Sequence, residues 1–299
     1  MAAYRFTNLT SAISDDASPL RRYLATEFPH VRGIERAYRK SAGPLRVRSL
    51  GAKPSTLGAA FDFVVRYTVD PDYNDEMLYV GFGNDPRLVP HVMAVIGTAQ
   101  QAAAGRLGSS SREVLYRSCW ALAMCTDVYR QGRIQPGGTL ERLLVSGRFT
   151  HDGLLECARP NPLEEMAALD AVATDAFYPR VRGADYFALG PRFDASRLCA
   201  ADADLIVGDV LIELKTKLGR KDDEGQRFDV LQTKDLYQVV AYALFDRSDE
   251  YGIRDVAIYS ARYGHYFERR LEALLDELAG RPVDLPAERT RVWQILATA

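Results

Sequence analysis

Three residues that could do chemistry lie close together in residues 201–217, ADADLIVGDVLIELKTK: Asp204, Glu213 and Lys215. Two carboxylates that approach each other must be relieved by a proton, a cation or water. A divalent ion such as Mg²⁺ or Mn²⁺ relieves them best, because it prefers hard oxygen ligands and keeps waters that can attack a bound phosphate. A lysine beside such an ion could orient the attacking water or offset charge on the phosphorane. These residue types indicate metal-assisted cleavage of phosphodiesters.

A tight hairpin would bring the three residues together. Two runs rich in aliphatic residues are separated only by Gly208 and Asp209, which is the spacing of a two-residue turn. Asp204 then lies directly opposite Glu213 on the neighbouring strand. Because side chains alternate along a strand, Glu213 and Lys215 share one face of the sheet.

Two alternatives remain open for the hairpin. Asp202 and Lys215 could form an ordinary cross-strand ion pair on a solvated face, and such pairs contribute only about 0–1 kcal/mol. The choice between Asp202 and Asp204 as the metal ligand depends on the register, since a slip by one residue would turn Asp204 away from Glu213.

A helix follows the hairpin after a charged loop. The segment LQTKDLYQVVAYALFD has helical periodicity, and Gln238 and Tyr242 are four residues apart, so they lie on one helix face. An acidic strand, a hairpin, an (Asp/Glu)-x-Lys strand and a helix with Gln-x-x-x-Tyr resemble the PD-(D/E)XK nuclease superfamily, and within it the RecB-type branch. The resemblance covers roughly residues 160–270 and extends to a set of uncharacterised bacterial predicted nucleases. The sequence departs from it at Ala203, where the superfamily has proline, and at Glu213, where it often has Asp.

The resemblance implies an α/β fold with a restriction-endonuclease-like core, in which helices flank a mixed central sheet. It implies that Asp204 and Glu213 bind Mg²⁺ or Mn²⁺ and that Lys215 is the catalytic lysine. Gln238 and Tyr242 would support the site or touch the nucleic acid. The alternative for these two residues is a helix that faces the sheet with a hydrogen-bonded amide.

Superfamily members often add a glutamate from a helix ahead of the first strand. The candidate helix begins after Asn161-Pro162, because proline suits a first helical turn. Glu165 falls with Leu169 on the apolar side, whereas Glu164 points away. The resemblance therefore implies that Glu165 is a third metal ligand. The alternative is that both glutamates complement the positive end of the helix.

Length and composition predict a globular intracellular protein. The 299 residues, 47% of them apolar, can form one large domain or two small ones with a substantial core. The chain has no run of about 18 apolar residues, which a membrane-spanning helix needs, and its first residues lack a signal-peptide pattern. We therefore expect a cytoplasmic location. The four cysteines include no Cys-x-x-Cys pair, so buried thiols are predicted rather than a zinc site, a disulfide framework or an iron–sulfur cluster.

The net charge of −2 predicts no global attraction to nucleic acid, so any binding must use local basic surface. One cluster adjoins the hairpin and is the better candidate for holding the scissile strand: Lys215, Lys217, Arg220 and Lys221. A second basic segment contains Arg32, Arg36, Arg39, Lys40, Arg46, Arg48 and Lys53. The alternative for the second segment is a solvated helix followed by a basic loop.

Residues 1–150 are predicted to form a mainly helical region that guides or gates the substrate, and residues 151–299 the nuclease domain. Helices are predicted over Pro19 to Leu24, Leu57 to Tyr67, Pro90 to Arg106 and Arg112 to Tyr129. A strand is predicted from Asp255 and a terminal helix over Tyr266 to Gly280.

The sequence leads to the hypothesis of a Mg²⁺- or Mn²⁺-dependent deoxyribonuclease. RNA ranks below DNA as substrate, because no RNA-recognition signature is present. A role in antiphage defence or DNA processing, as a homo-oligomer or with a defence-system partner, follows by analogy alone. The alternative is a catalytically inactive nucleic-acid-binding or scaffold protein that retains the nuclease fold.

Overall fold

The computed structural model describes residues 4–83 and 85–298. The chain divides into two compact units, and the first combines the segment up to Leu45 with the segment from Gly183 onward. The second unit spans Arg46–Arg182. This division differs from the predicted boundary between residues 150 and 151, because the N-terminal helices pack with the C-terminal part of the chain. The side chain of Tyr38, for example, donates a hydrogen bond to Asp229 at 2.8 Å.

The first unit contains a mixed β-sheet, and the strands of the described residues follow in chain order. They are β1 (Phe187–Leu189), β2 (Leu205–Val207), β3 (Val210–Lys215), β4 (Arg220–Lys221), β5 (Arg227–Phe228), β6 (Asp255–Ser260) and β7 (His265–Arg270). The main sheet has the order β1-β2-β3-β6-β7, and β4 pairs with β5 in a separate hairpin. Strands β3 and β6 are parallel, and the other neighbours are antiparallel.

Helices make up the rest of the regular structure. The first unit begins with α1 (Leu9–Ser14), α2 (Pro19–Glu27) and α3 (Val31–Ser41). The second unit, in its described residues, contains α4 (Pro54–Val69), α5 (Glu76–Val80), α6 (Val89–Ala103), α7 (Ser111–Gln131), α8 (Thr139–Val145), α9 (His151–Leu155), α10 (Pro160–Ala176) and α11 (Tyr178–Val181), with a 3₁₀ turn at Gly108–Ser110. The first unit resumes with a 3₁₀ turn at Asp194–Arg197, then α12 (Thr233–Phe245), α13 (Leu271–Ala279) and α14 (Leu285–Thr298).

The predicted hairpin is confirmed with its register. Leu205 pairs with Ile212 and Val207 with Val210, so the turn consists of two residues. Gly208 has φ +60°, a left-handed conformation that glycine adopts without the steric cost of a Cβ atom. The sequence therefore determines which side chains of β3 share a face.

One face of the sheet packs on the helices of the first unit. Leu211 on β3 and its lateral neighbour Val256 on β6 are buried in an apolar core with residues of α1, α2, α3, α12, α13 and α14. Glu213 and Lys215 lie on the same face, two and four residues further along β3. The carboxyl end of β3 thus introduces charge at the border of an apolar layer.

Most predicted helices are confirmed, but the terminal one is wrong in its first part. Tyr266 to Arg270 belong to β7, which pairs antiparallel with β6 through the turn at Gly264. The β-hairpin extends the sheet by one strand, and the helical periodicity holds only from Leu271, where α13 begins.

Candidate active site

Glu213 and Lys215 form the centre of a charged site on β3. The Lys215 Nζ donates to Glu213 Oε1 at 2.7 Å. Glu213 is only 5% exposed, and the Lys215 side chain is 15% exposed. Because both charges are withdrawn from water, each needs the other for compensation.

The predicted pair on α12 joins this centre by hydrogen bonds. The Lys215 Nζ also donates to Gln238 Oε1 at 3.0 Å, and Gln238 Nε2 donates to the Tyr242 hydroxyl oxygen at 2.8 Å. The spacing of four residues places Gln238 and Tyr242 one helical turn apart on the face towards β3. The structure therefore brings Glu213, Lys215, Gln238 and Tyr242 into one connected network.

Asp204 lies beside the same network, just before β2. Its Oδ2 accepts a hydrogen bond from the backbone N–H of Leu214 at 2.6 Å. Leu214 stands between Glu213 and Lys215 on β3, so the Asp204 carboxylate lies against the strand that carries both residues. Burial first, and then the charges of Glu213 and Asp204, raise the pKa of the Tyr242 hydroxyl. The charges of both predicted acids therefore affect the same group, the Tyr242 hydroxyl. Asp204 itself is half-buried.

Asp235 is a member of the site that the sequence prediction missed. Its Oδ1 and Oδ2 accept from Lys217 Nζ at 2.6 and 2.7 Å, and Oδ1 lies 3.6 Å from Lys215 Nζ. Burial alone would lower the pKa of Lys215, but the charges of Glu213, Asp235 and Asp204 outweigh it and raise the pKa.

A local signal for Asp235 exists in the sequence. Gln232 and Asp235 stand at the helix start in the spacing of a capping box, in which the side chain at the third position returns to the backbone of the cap. The Gln232 N–H donates to Asp235 Oδ2 at 3.4 Å. The signal indicates a helix terminus, and it does not by itself indicate the contact with Lys217.

The loop after β3 is held by the turn that follows β6. Arg262 Nε donates to the carbonyl oxygen of Thr216 at 2.6 Å, and the Tyr263 hydroxyl donates to that of Leu218 at 2.8 Å. Gly219 has φ +66°, and a Cβ at this position would collide with the carbonyl of Phe228. These contacts fix the path of the chain on both sides of Lys217.

Glu165 lies in the second unit, on α10. It is fully buried, as the prediction of the apolar side requires, whereas Glu164 is exposed. Its Oε2 accepts the backbone N–H groups of Leu50 at 2.9 Å and Ala52 at 3.3 Å. Glu165 therefore stabilises the chain that precedes α4, and a role in binding metal stays a prediction.

Asp202 and Lys215 each make other contacts than the ion pair that the alternative interpretation assigned to them. Asp202 is exposed and lies in an isolated bridge with Arg192. Lys215 pairs with Glu213 and Asp235. The charges around Lys215 therefore come from its own strand, from α12 and from Asp204 just before β2.

The exposed residues of the two predicted basic clusters lie, within the first unit, on two elements. Arg32, Arg36, Arg39 and Lys40 are exposed on α3, and Arg220 and Lys221 are exposed on β4. The Arg39 guanidinium stacks over the ring of Phe228 on β5, 4.2 Å from its centroid. The stack connects α3 with the β4–β5 hairpin, so the two basic surfaces are neighbours. The other predicted basic residues, Arg46, Arg48 and Lys53, belong to the second unit.

Comparison with protein-family models, curated proteins and solved structures gave no match for this chain. Within residues 4–83 and 85–298, no three His, Cys, Asp or Glu side chains are grouped so that they could hold a metal ion. Over the same described residues, no helix has the length and apolar character to cross a membrane. The geometry of the site is therefore the basis for any functional proposal.

Proposed function

We propose that the protein is a Mg²⁺- or Mn²⁺-dependent nuclease that hydrolyses DNA phosphodiester bonds. The proposal rests on one observation: a buried Glu-x-Lys pair on β3 is hydrogen-bonded to Gln238 and Tyr242 of α12, with Asp204 beside it. The mixed sheet with α12 on the face of the site is consistent with the restriction-endonuclease-like core that the sequence resembles. The alternative interpretation, a charge ladder on a solvated sheet face, would not require these buried hydrogen bonds between β3 and α12.

The donor set fits a hard divalent cation. Asp204, just before β2, and Glu213, on β3, offer carboxylate oxygens, and Mg²⁺ commonly binds through one or two carboxylates and keeps several waters. Glu213 is buried next to the ammonium of Lys215, so a bound cation would share this carboxylate with the lysine. The bound ion would supply positive charge at the phosphate and lower the pKa of an attacking water.

Lys215 would orient the nucleophile as a charged donor. An ammonium has three N–H groups, and two of them are directed at Glu213 and Gln238. The raised pKa keeps Lys215 protonated at neutral pH, so in this arrangement Lys215 acts as a hydrogen-bond donor and a positive charge rather than as a base. Gln238 fixes its direction, and Tyr242 fixes Gln238.

The basic surface of α3 and β4 would bind the nucleic-acid backbone. Arg39 links these elements through its stack on Phe228. Phosphate contacts of this kind depend on salt and not on base sequence. We therefore propose binding without strong sequence preference and with a steep loss of affinity as salt increases. An antiphage or DNA-processing role, with oligomers or defence partners, is an analogy that follows from the same proposal.

The test is cleavage of supercoiled, linear and single-stranded DNA with Mg²⁺, Mn²⁺ or EDTA. Wild type, Asp204→Asn and Lys215→Ala are compared, and Lys234→Ala serves as the matched control because Lys234 is an exposed lysine on α12. Metal-dependent cutting that is lost in the two site variants and retained in the control would support the proposal.

Failure of the folded wild type to cut any of these substrates would overturn the proposal. The rival function, a nucleic-acid-binding or scaffold protein, predicts equal DNA binding in EDTA and in Mg²⁺. It also predicts no shift of the unfolding temperature on addition of metal, whereas an ion that binds the native state raises that temperature.

A further inference from the structure

A serine, a histidine and an aspartate from three distant parts of the chain meet in the first unit. Ser41 Oγ lies 3.0 Å from His265 Nε2, and His265 Nδ1 lies 3.3 Å from Asp229 Oδ2. Ser41 ends α3, Asp229 follows β5, and His265 begins β7. This order of contacts is the one by which a nucleophilic hydroxyl, a general base and an orienting carboxylate are recognised, whatever their sequence positions.

The carboxylate and the imidazole are buried and held in place. Asp229 is 3% exposed and His265 7% exposed. Asp229 Oδ1 accepts a hydrogen bond from the backbone N–H of Val230 at 3.0 Å, and Oδ2 accepts one from the Tyr38 hydroxyl at 2.8 Å. The Tyr38 and His265 rings are in edge contact, with centroids 4.5 Å apart. The histidine has therefore little freedom to turn away from Ser41.

Hydrogen-bond accounting assigns the two ring nitrogens. An ionised carboxylate can only accept, so Nδ1 of His265 donates to Asp229. In the neutral imidazole Nε2 then has a free electron pair, which is directed at Ser41. The Ser41 hydroxyl has one proton and three acceptors within reach: His265 Nε2, and the carbonyl oxygens of Tyr38 at 3.0 Å and Ala37 at 3.2 Å.

We propose that Ser41, His265 and Asp229 form a second reactive centre, in which Ser41 is an activated nucleophile towards activated esters and phosphonates. The Ser41 oxygen forms a bond to the carbonyl carbon or the phosphorus, and the bond to the leaving group breaks. The Ser41 proton passes to His265 Nε2 and from there to the leaving group. Ser41 is exposed, so a small reagent can reach it.

The position of Ser41 also sets the expected turnover. Ser41 is the last residue of α3, where the helix dipole is negative, so the helix does not stabilise an oxyanion there. We therefore expect covalent capture of activated reagents, whose leaving groups depart readily, followed by slow release, with a burst of one leaving group per chain.

Ser146 provides a matched control. It is also exposed at the end of a helix, and its Oγ also contacts carbonyl oxygens three and four residues earlier, at 3.2 and 2.8 Å. Those contacts are to Leu143 and Arg142, and the feature that distinguishes Ser41 is its bond to His265. A difference in reactivity between the two serines therefore reports on the histidine.

The experiment is labelling of the full chain with a fluorophosphonate probe in EDTA, with the modified peptide identified by mass spectrometry, and release of p-nitrophenol from p-nitrophenyl acetate. We expect labelling at Ser41, loss of labelling in Ser41→Ala and normal labelling in Ser146→Ala. His265→Ala should lower the labelling rate about 100-fold or more, and added imidazole should restore part of it. Because EDTA is present, the result is independent of the proposed nuclease activity.

Three outcomes would overturn the inference. The first is a folded wild type in which Ser41 is not labelled at millimolar probe. The second is equal labelling of Ser41 and Ser146, and the third is a labelling rate that His265→Ala leaves unchanged. Either of the last two results would make Ser41 an ordinary surface hydroxyl. Since Ser41 is exposed, Ser41→Ala is expected to fold, and thermal unfolding of each variant verifies this.

Discussion

Asp235 binds the ammonium of Lys217 with both carboxylate oxygens, at 2.6 and 2.7 Å. The same carboxylate lies 3.6 Å from Lys215 Nζ and is only 4% exposed. One buried carboxylate therefore contacts two ammonium groups, that of Lys215 at the end of β3 and that of Lys217 in the loop that follows. Without Asp235, the two lysines would repel each other at the proposed site.

Asp235→Asn tests this positioning role. The variant keeps the shape of the side chain and removes its charge, so Lys215 is held less firmly against Gln238 and Glu213. We expect the rate of DNA cleavage at saturating substrate to fall about 10- to 100-fold, as for other residues that orient a catalytic group. Asp223→Asn, at an exposed position, should leave the rate unchanged. A normal rate in Asp235→Asn would remove Asp235 from the site.

Lys215→Met tests the buried ion pair by its effect on stability. Removal of one partner leaves Glu213 as a buried charge, and the free energy of unfolding should fall by about 3–5 kcal/mol. In the double variant Lys215→Met/Glu213→Gln both charges are absent, so most of that stability should return while cleavage stays lost. Urea denaturation measures the first effect and a cleavage assay the second. Equal stability of the single and double variants would contradict the pairing.

Tyr242→Phe tests the last hydrogen bond in the series that runs from Glu213 through Lys215 and Gln238. The change removes the acceptor of Gln238 Nε2 and should cost about 0.5–1.5 kcal/mol of stability. It should also slow cleavage, because Gln238 then orients Lys215 less well. Tyr237→Phe is the matched control, since Tyr237 lies on the same helix and its hydroxyl donates to the carbonyl of Phe28 at 3.0 Å. That variant should lose similar stability and cleave normally, and slowed cleavage in both would indicate a general effect of α12.

The thiols predict a defined pattern of chemical reactivity. Cys119, Cys125 and Cys199 are buried, whereas Cys157 is half-buried. Ellman's reagent should therefore modify Cys157 in the native protein and all four thiols in denaturant. Fast reaction of three or four thiols without denaturant would contradict the described packing.

Cys199 also makes stability depend on pH. Burial raises its pKa to about 12, while a thiol in an unfolded chain ionises near pH 8.5. The native state therefore holds more protons than the unfolded state between these values, and stability falls as pH rises through that window. Below about pH 8.5 the contribution is complete. The difference in unfolding free energy between wild type and Cys199→Ala should decrease from pH 8 to pH 10, and a constant difference would contradict the raised pKa.

The parts of the site that follow local rules could be predicted from the sequence. The two-residue turn at Gly208 determined the register of β2 and β3, and a spacing of four residues placed Gln238 and Tyr242 on one helix face. These features depend on neighbours in sequence and on the fixed periods of strand and helix. For the same reason α2, α4, α6 and α7 were predicted within a few residues of their observed bounds. Helix α14 was not predicted.

Contacts between distant residues could not be predicted in this way. Ser41 and His265 are 224 residues apart, and no spacing rule connects them. The β7 strand depends on the open edge of β6, which favours pairing over the helical pattern of residues 266–270. The division of the chain into units was also hidden, because it depends on α3 packing with residues from the far end of the sequence.

The interrupted first unit has a consequence for synthesis of the chain. Residues 46–182 are synthesised before the first strand, β1, and a contiguous segment can fold as soon as it has emerged from the ribosome. Helix α3 must meanwhile wait with its buried residues Ile34 and Tyr38 exposed, since the partner of Tyr38 is 191 residues away. During this interval the nascent chain presents α3 with its apolar face uncovered, and we expect chaperones that bind exposed apolar surface to associate with it until the sheet is complete.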